Sequence, residues 1–578
     1  MRLTRIEIEN FKGIGKRQVI DLAPITLLFG PNSAGKSTVL QALHYVREIL
    51  ERQNPDPDET IAGGLIDLGG FASLVHRHEL DRAIRIKLVG EIDPTEEHPH
   101  LPINGGNSIN DSRFSGLPLN YRLGPGSDRP EDGAIYSVGV ELAVRSNDYG
   151  AYVQRVDFEL NNQETLVLSA PSPGGGAVLS DFNFEHPLLQ SSELDLDDDE
   201  LPNPLREEVS ELSAEIAALK DALSDAEIRI AVSTASGALP DLLNGLKPSF
   251  AEIDFRDYLP QRDKLVERTQ ATQALDGVAR ERLRRDGLEQ LLNELVCGPL
   301  SILRDWLADT RYIGPLRRVP ERNYQPSRST IAQLGAGRWA DGTAAWDLLH
   351  DPLDGPDVVD WLNECVGDNG FIPLGFDFVL EGTVELPASG PIAAAFDRGF
   401  TTDDFAELQS EFSRAPRRVS LRLRDTQTGV LVEPADIGVG VSQVVPIVVA
   451  SDPEETCSLV VVEQPELHLH PALQVGLGDL FIMGAEYPEL VPGEQSQAFL
   501  IETHSEHLLL RLLRRIREQS NDEVPPGRWG LAADKLAVIY VDCSRGDTTF
   551  QRLRVDDEGE FIDRWPKGFF EERAEELF

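Results

Sequence analysis

The residues with the most chemical content lie near the two ends of the chain. Gly30-Pro31-Asn32-Ser33-Ala34-Gly35-Lys36-Ser37-Thr38 follows the apolar run Ile25–Phe29 and fits the pattern GxxxxGK[ST]. Glycines let such a loop fold tightly, so that backbone N–H groups and the N-terminus of the next helix surround a β-phosphate. In that pattern Lys36 reaches the β/γ oxygens and Ser37 holds Mg²⁺. Gly30, Asn32, Ser33, Ala34, Gly35, Lys36, Ser37 and Thr38 are therefore the predicted nucleotide-binding residues. Far downstream, Leu459-Val460-Val461-Val462-Glu463-Gln464-Pro465-Glu466 is an apolar strand ending in acids. It supplies the second half of an ATP–Mg²⁺ site, with Glu463 joining Ser37 at the metal.

The separation of the two motifs is informative in itself. P-loop ATPases usually keep both within about one domain, so a module must be inserted into a single nucleotide-binding head. That plan resembles the SMC, RecF and OLD-like branch of the ABC ATPases. The opening Arg2–Ile14, with Asn10-Phe11-Lys12, is similar to that family's first strand and turn. Ala435–Ile447 resembles its diverged signature motif. The resemblance implies that Gly440, Ser442 and Gln443 close over the γ-phosphate bound to an opposite subunit. Read alone, the segment is equally a Gly-rich turn capped by Ser442 before a buried helix. Phe499–Ser505 is an apolar strand ending Thr503-His504-Ser505, similar to the family's switch histidine, which makes His504 a γ-phosphate sensor. Leu467–Pro471 occupies the position of the D-loop, through which paired heads touch. Its His468 and His470 have no Cys or further His cluster nearby to complete a metal shell. Tyr312–Arg322 also resembles a recurring stretch, but its residues read as a Gly-Pro turn with solvated charges.

The chain departs from that family where the chemistry is hardest. The acidic strand usually ends Asp-Glu; Glu463 and Gln464 stand there instead. An amide cannot take a proton, and general-base help is typically worth about 10² to 10⁴ in rate. Slow hydrolysis is the expectation, with Gln464, Glu466 and His504 as the catalytic candidates. Either Glu466 turns in as the base or Gln464 orients water, as a GTPase Gln does. Glu466 otherwise caps or pairs at its loop. Around Asp67–His76, where the chain crosses back toward the site, no Gln stands as a further metal or water sensor.

The elements that must position these residues follow from periodicity. The fold class expected is α/β, an ABC-type P-loop ATPase head with an antiparallel β-lobe and an inserted short helical or coiled-coil arm. Residues 1–90 form the N-terminal half of the head, and 91–190 a β-rich lobe, with period-two runs from Ile135 to Leu168. Residues 191–300 form the insertion, where Leu205, Val209, Leu212, Ile216, Leu219, Leu223, Ala226 and Ile230 keep a heptad seam. Paired with a return helix near 261–295, it makes an arm of roughly 40 Å; a bundle packed on the head is the alternative. Residues 301–520 complete the head, and 521–578 form a small C-terminal extension. The ending Arg564–Phe570 resembles an extension found on a subset of these ATPases. No Toprim-type carboxylate cluster follows, so no nuclease is expected in this chain.

Of 578 residues, 98 are acidic and 54 basic, a formal charge of −44. Nucleic-acid affinity needs local Lys and Arg, and Arg280, Arg282, Arg284 and Arg285 form the densest candidate, though they read better as a solvated helix face. Cys297, Cys365, Cys457 and Cys543 are far apart and suggest neither a disulfide framework nor a zinc module. Without a membrane-length apolar run or a leader, a cytoplasmic protein with no membrane partner is expected. The family resemblance implies an ATP-dependent homodimer, possible higher oligomers, and possible nucleic-acid contact. Standalone ATPases of this shape resemble regulatory subunits of anti-phage systems such as Septu, which act with a separate HNH nuclease. DNA repair or chromosome maintenance is the alternative role.

Overall fold

Alternation along the strands sorts the chain into two cores on either side of one sheet. The computed structural model describes residues 2–58, 66–92, 135–170, 178–183, 298–322, 337–384 apart from 352 and 368–369, 417–453, 457–486 and 497–566, with a few isolated positions between. The heptad seam, the return helix and the arginine cluster lie outside the described residues.

The period-two runs form an antiparallel sheet. Its strands are β1 (Arg2–Glu9), β2 (Gln18–Asp21), β4 (Ile84–Glu91), β5 (Ser137–Asn147), β6 (Gly150–Leu160), β7 (Gln163–Ser169) and β8 (Val178–Phe182). They stand in the order β2-β1-β4-β5-β6-β7-β8, so the boundary expected near residue 90 falls inside one sheet. The second sheet is built around β3 (Ile25–Phe29), whose Leu27, Leu28 and Phe29 are fully buried. Each such burial is worth roughly 1.5–3 kcal/mol over exposure. A continuous apolar run is what a strand covered on both faces requires. Beside β3 lie β14 (Ala498–Glu502) and β15 (Leu536–Asp542), both parallel to it. Beyond β14 come β13 (Leu459–Glu463) and β9 (Arg311–Ile313), again parallel. β16 (Thr549–Leu553) closes the other edge antiparallel to β15. Two strands from the segment expected as a separate C-terminal extension are thus members of the sheet that carries the phosphate loop. A small third sheet joins β10 (Phe376–Val384), β11 (Arg417–Asp425) and β12 (Leu431–Val432).

Helices cover both faces. On one side Leu28, Val461, Leu500 and Ile539 meet α1 (Lys36–Arg52), α3 (Gly298–Ala308) and the antiparallel sheet. The short α2 (Gly70–Leu74) packs in the same core through Phe71 and Leu74. On the other side Leu27, Phe29, Val460, Val462 and Ile501 meet a second core. Its helices are α4 (Gly337–Ala340), α5 (Thr343–Leu349), α6 (Gly355–Val366), α7 (Val439–Ala450), α8 (Pro471–Glu486) and α9 (Glu506–Ser520). Among the described residues, no helix is long and apolar enough to cross a membrane.

Candidate ATPase site

All five parallel strands point their C-terminal ends the same way, and the motifs converge at that edge, where ligands of open α/β sheets bind. The phosphate loop leaves β3 at Gly30 and enters α1 at Lys36. A Cβ on Gly30 would sit 2.4 Å from the Val541 carbonyl oxygen; on Gly35, at φ +101°, it would meet the Thr548 hydroxyl at 2.8 Å. No side chain caps α1 at Gly35, so its first N–H groups are left to an anion. The turn between β15 and β16 braces the loop. Thr548 donates its hydroxyl to the Ala34 carbonyl (3.1 Å) and its N–H to the Gly13 carbonyl (2.8 Å).

Lys36 is buried, with Nζ donating to the Gly30 and Pro31 carbonyls, both at 3.1 Å, and lying 3.8 Å from Glu502 Oε1. Burial lowers its pKa against the pull of Glu502, Glu466 and Glu463. Ser37 Oγ donates to Glu502 Oε2 at 2.6 Å. Glu463, the predicted metal partner, lies directly beside Glu502 in the parallel register and accepts from the Tyr312 hydroxyl at 2.8 Å. Burial, then the neighbouring Glu502, pushes its carboxyl up to about 7. The hydroxyl and carboxylates are the hard oxygen donors that Mg²⁺ takes, and they fit it. Among the described residues no group of three His, Cys, Asp or Glu side chains forms a metal cage. Phosphate and water would complete the shell, as is usual for Mg²⁺.

Beyond the strand, Gln464 adopts φ +44° and donates its N–H to the Glu502 carbonyl at 2.7 Å. Glu466 accepts from the Thr503 hydroxyl and the His504 N–H, both at 2.7 Å. Its carboxylate therefore reaches out of its own loop and ties the acidic strand's end to the Thr503-His504 segment after β14. Burial, then Lys36, depresses the pKa of His504. His468 and His470 are both exposed.

Arg317 corrects the reading of Tyr312–Arg322 as a turn with solvated charges. It is 5% exposed, donates to the Glu463 carbonyl at 2.7 Å, and lies 3.4 Å from the Gln464 and Gln443 carbonyls. A guanidinium carries enough donors to tie its own segment to two others, the end of β13 and the start of α7. Gln443 returns a bond from Nε2 to the Arg317 carbonyl at 2.8 Å. Gln443 and Ser442 are therefore turned into the protomer, and the Ser442 hydroxyl donates to the Val439 carbonyl. What α7 presents outward is its N-terminal backbone at Val439 and Gly440. Gly440 lies against the D-loop, where a Cβ would sit 3.3 Å from the His468 carbonyl oxygen. On α1, His44 is fully buried, edge-on to Tyr312 with centroids 4.5 Å apart, and burial pushes it down to about 3.

Sequence reasoning did not single out Glu502, Arg317, Tyr312 or Thr548. For Glu502 the signal was present: an acid closing an otherwise apolar five-residue strand. The other three matter through partners far away in the chain.

Family models match three segments. Residues 1–66 match "AAA ATPase domain", residues 289–511 match "AAA domain, putative AbiEii toxin, Type IV TA system", and residues 531–578 match a protein of unknown function, DUF3696. No curated protein matches. Solved structures of SMC heads also match. One is the Smc head with an extended coiled coil from Pyrococcus furiosus, bound to the C-terminal domain of ScpA (10% identity, 96% of each chain, TM-score 0.34). Others come from Thermotoga maritima (9%, 96% of this chain and 100% of that one, 0.32) and Pyrococcus yayanosii (12%, 96% and 97%, 0.34). The segments that carry the phosphate loop, and those that carry the signature, acidic strand and switch histidine, are thus similar to AAA-type ATPase domains. The described architecture is α/β, and these segments meet at the C-terminal edge of one mostly parallel sheet.

Proposed function

We propose that the chain hydrolyses ATP as a nucleotide-gated dimer. In this reading Lys36, Ser37 and the loop amides of one copy hold the triphosphate, and the Gly440 end of α7 in a second copy closes over it. Mg²⁺ would be held by Ser37 and Glu463 and would neutralise charge on the phosphates. Lys36 and the N-terminus of α1 neutralise charge from the protein's side. In the same reading Gln464, Glu466 and His504 are the residues that would position the attacking water. The observation that carries the reading is the convergence of Ser37 and Lys36 on the strand end that also carries Thr503-His504.

Light scattering with ATP and Mg²⁺ tests it. Lys36→Ala should lose nucleotide binding and dimerisation together. Ser442 is buried, so an arginine there would disrupt the protomer; Val439, 50% exposed, is the informative position. Val439→Arg should bind nucleotide and remain monomeric. Its normal dimerisation with ATP would sink the composite-site model.

The biological role proposed is the regulatory subunit of an anti-phage complex with a separate nuclease. The matched family whose description names a toxin of a toxin–antitoxin system supports a conditional role of this kind. Purification from the native host in high salt decides between roles. A nuclease chain in fixed ratio supports defence, whereas binding to DNA ends by the ATPase alone points to repair or chromosome maintenance.

A further inference from the structure

Glu502 has no place in the two-motif account of the site, yet the phosphate loop is built against it. β14 lies between the loop's strand and the acidic strand, and the register sets Glu502 beside Leu28 on one side and Glu463 on the other. Its carboxylate is 5% exposed and meets both chemical groups of the loop, Ser37 Oγ at 2.6 Å and Lys36 Nζ at 3.8 Å. Glu463 has turned to Tyr312 instead. Two consequences follow from the chemistry.

The first concerns the serine. A hydroxyl that spends its proton on a carboxylate is fixed in rotation, and both oxygen lone pairs are then offered elsewhere. An oxygen so prepared is a ligand for a cation rather than a donor to phosphate. The second concerns charge. Glu502, Glu466 and Glu463 all act on Lys36, and Arg317 is held at the far side by backbone carbonyls. Acids outnumber bases here, so a bare triphosphate meets repulsion from buried carboxylates, and little water is present to screen it. A divalent cation reverses that balance.

We propose that Glu502 makes nucleotide binding conditional on a divalent cation, by fixing the Ser37 hydroxyl for the metal and by competing with bare phosphate for Lys36. The inference rests on the ATP-site reading above and deepens it: the form bound is the metal–nucleotide complex, and metal and nucleotide enter as a linked pair. Linkage of this kind is reciprocal, so nucleotide strengthens metal binding by the same factor. Glu502 is here a positioning residue, acting through Ser37 and Lys36.

The test is an equilibrium titration of the full chain with a fluorescent ATP analogue, in saturating Mg²⁺ and in EDTA. The quantity read is the ratio of the two affinities. Glu502→Gln should weaken binding in Mg²⁺, strengthen it in EDTA, and shrink the ratio by about tenfold or more. Glu502→Asp, which keeps the charge, should retain most of the ratio. A Glu502→Gln ratio equal to that of the wild-type protein overturns the proposal while leaving the ATP site intact. Should that variant fail to fold, Ser37→Ala carries the test. Loss of the oriented hydroxyl should shrink the same ratio, and an unchanged ratio overturns the proposal. No binding by the wild-type protein with or without Mg²⁺ would instead overturn the ATPase reading itself.

Discussion

In the proposed ATPase, Gln464 would set how fast the site can turn over. It stands where a carboxylate is expected, its backbone is held in the left-handed region, and Glu466, the alternative base, already accepts two hydrogen bonds. Restoring the acid with Gln464→Glu should raise steady-state phosphate release, by up to about 10²-fold; unchanged turnover would show that proton abstraction does not limit the rate. Arg317 makes a different prediction. Removing a buried cation strands the carbonyls it holds, so Arg317→Ala should cost about 1.5–3 kcal/mol in denaturant unfolding. A loss below ~1 kcal/mol would mean that water replaces it. His44 sets an acid limb. Its folded pKa of about 3 lies below its unfolded value, so between about 3 and 6.5 the unfolded chain holds the extra proton. Stability is then full above about 6.5 and falls as pH drops, by up to about 1.4 kcal/mol per unit. His44→Phe, which keeps an aromatic ring against Tyr312, should flatten the dependence of melting temperature on pH between 7 and 5. A slope equal to that of wild type would assign the acid limb to other groups.

The elements differ in how far the sequence reveals them. β3, the loop and α1 are consecutive, so a local pattern of apolar run, glycines and amphipathic helix specifies all three without reference to the rest of the chain. The strands β5, β6 and β7 are equally plain, because period two fixes which face is buried. Strand order is another matter. That β15 pairs with β3, Leu536 beside Ile25 through Tyr540 beside Phe29, depends on partners separated by most of the chain. For the same reason Arg317 reads as a surface charge until α7 and β13 are seen to enclose it. The β15–β16 turn becomes a functional element only once it is found under the phosphate loop. Thr548→Val removes one hydrogen bond to that loop and keeps the side chain's shape, a change worth about 1 kcal/mol. It should weaken nucleotide binding roughly fivefold with little effect on melting temperature. Unaltered affinity would show that strand packing alone holds the loop.

In the proposed dimer, the molecule would bring copies of itself together against its own charge. With a formal charge of −44 on each chain, two protomers repel at low salt, and added salt screens that repulsion within about 10 Å at 0.1 M. The proposed ATP-dependent dimer should therefore tighten as KCl is raised from about 0.1 to 1 M. Sedimentation that shows weakening instead would point to an interface held by opposite charges. The position of β3 in its sheet has a further consequence, for synthesis. β3 emerges from the ribosome long before the strands that cover its two edges, Ala498–Glu502 and Leu536–Asp542. Until then an apolar strand has neither partner, a condition that favours slow folding and the attention of chaperones. The phosphate loop, braced by Val541 and Thr548, likewise cannot take its final shape on a nascent chain. A growing polypeptide that ends short of these strands leaves β3 unpaired at both edges and its phosphate loop unbraced.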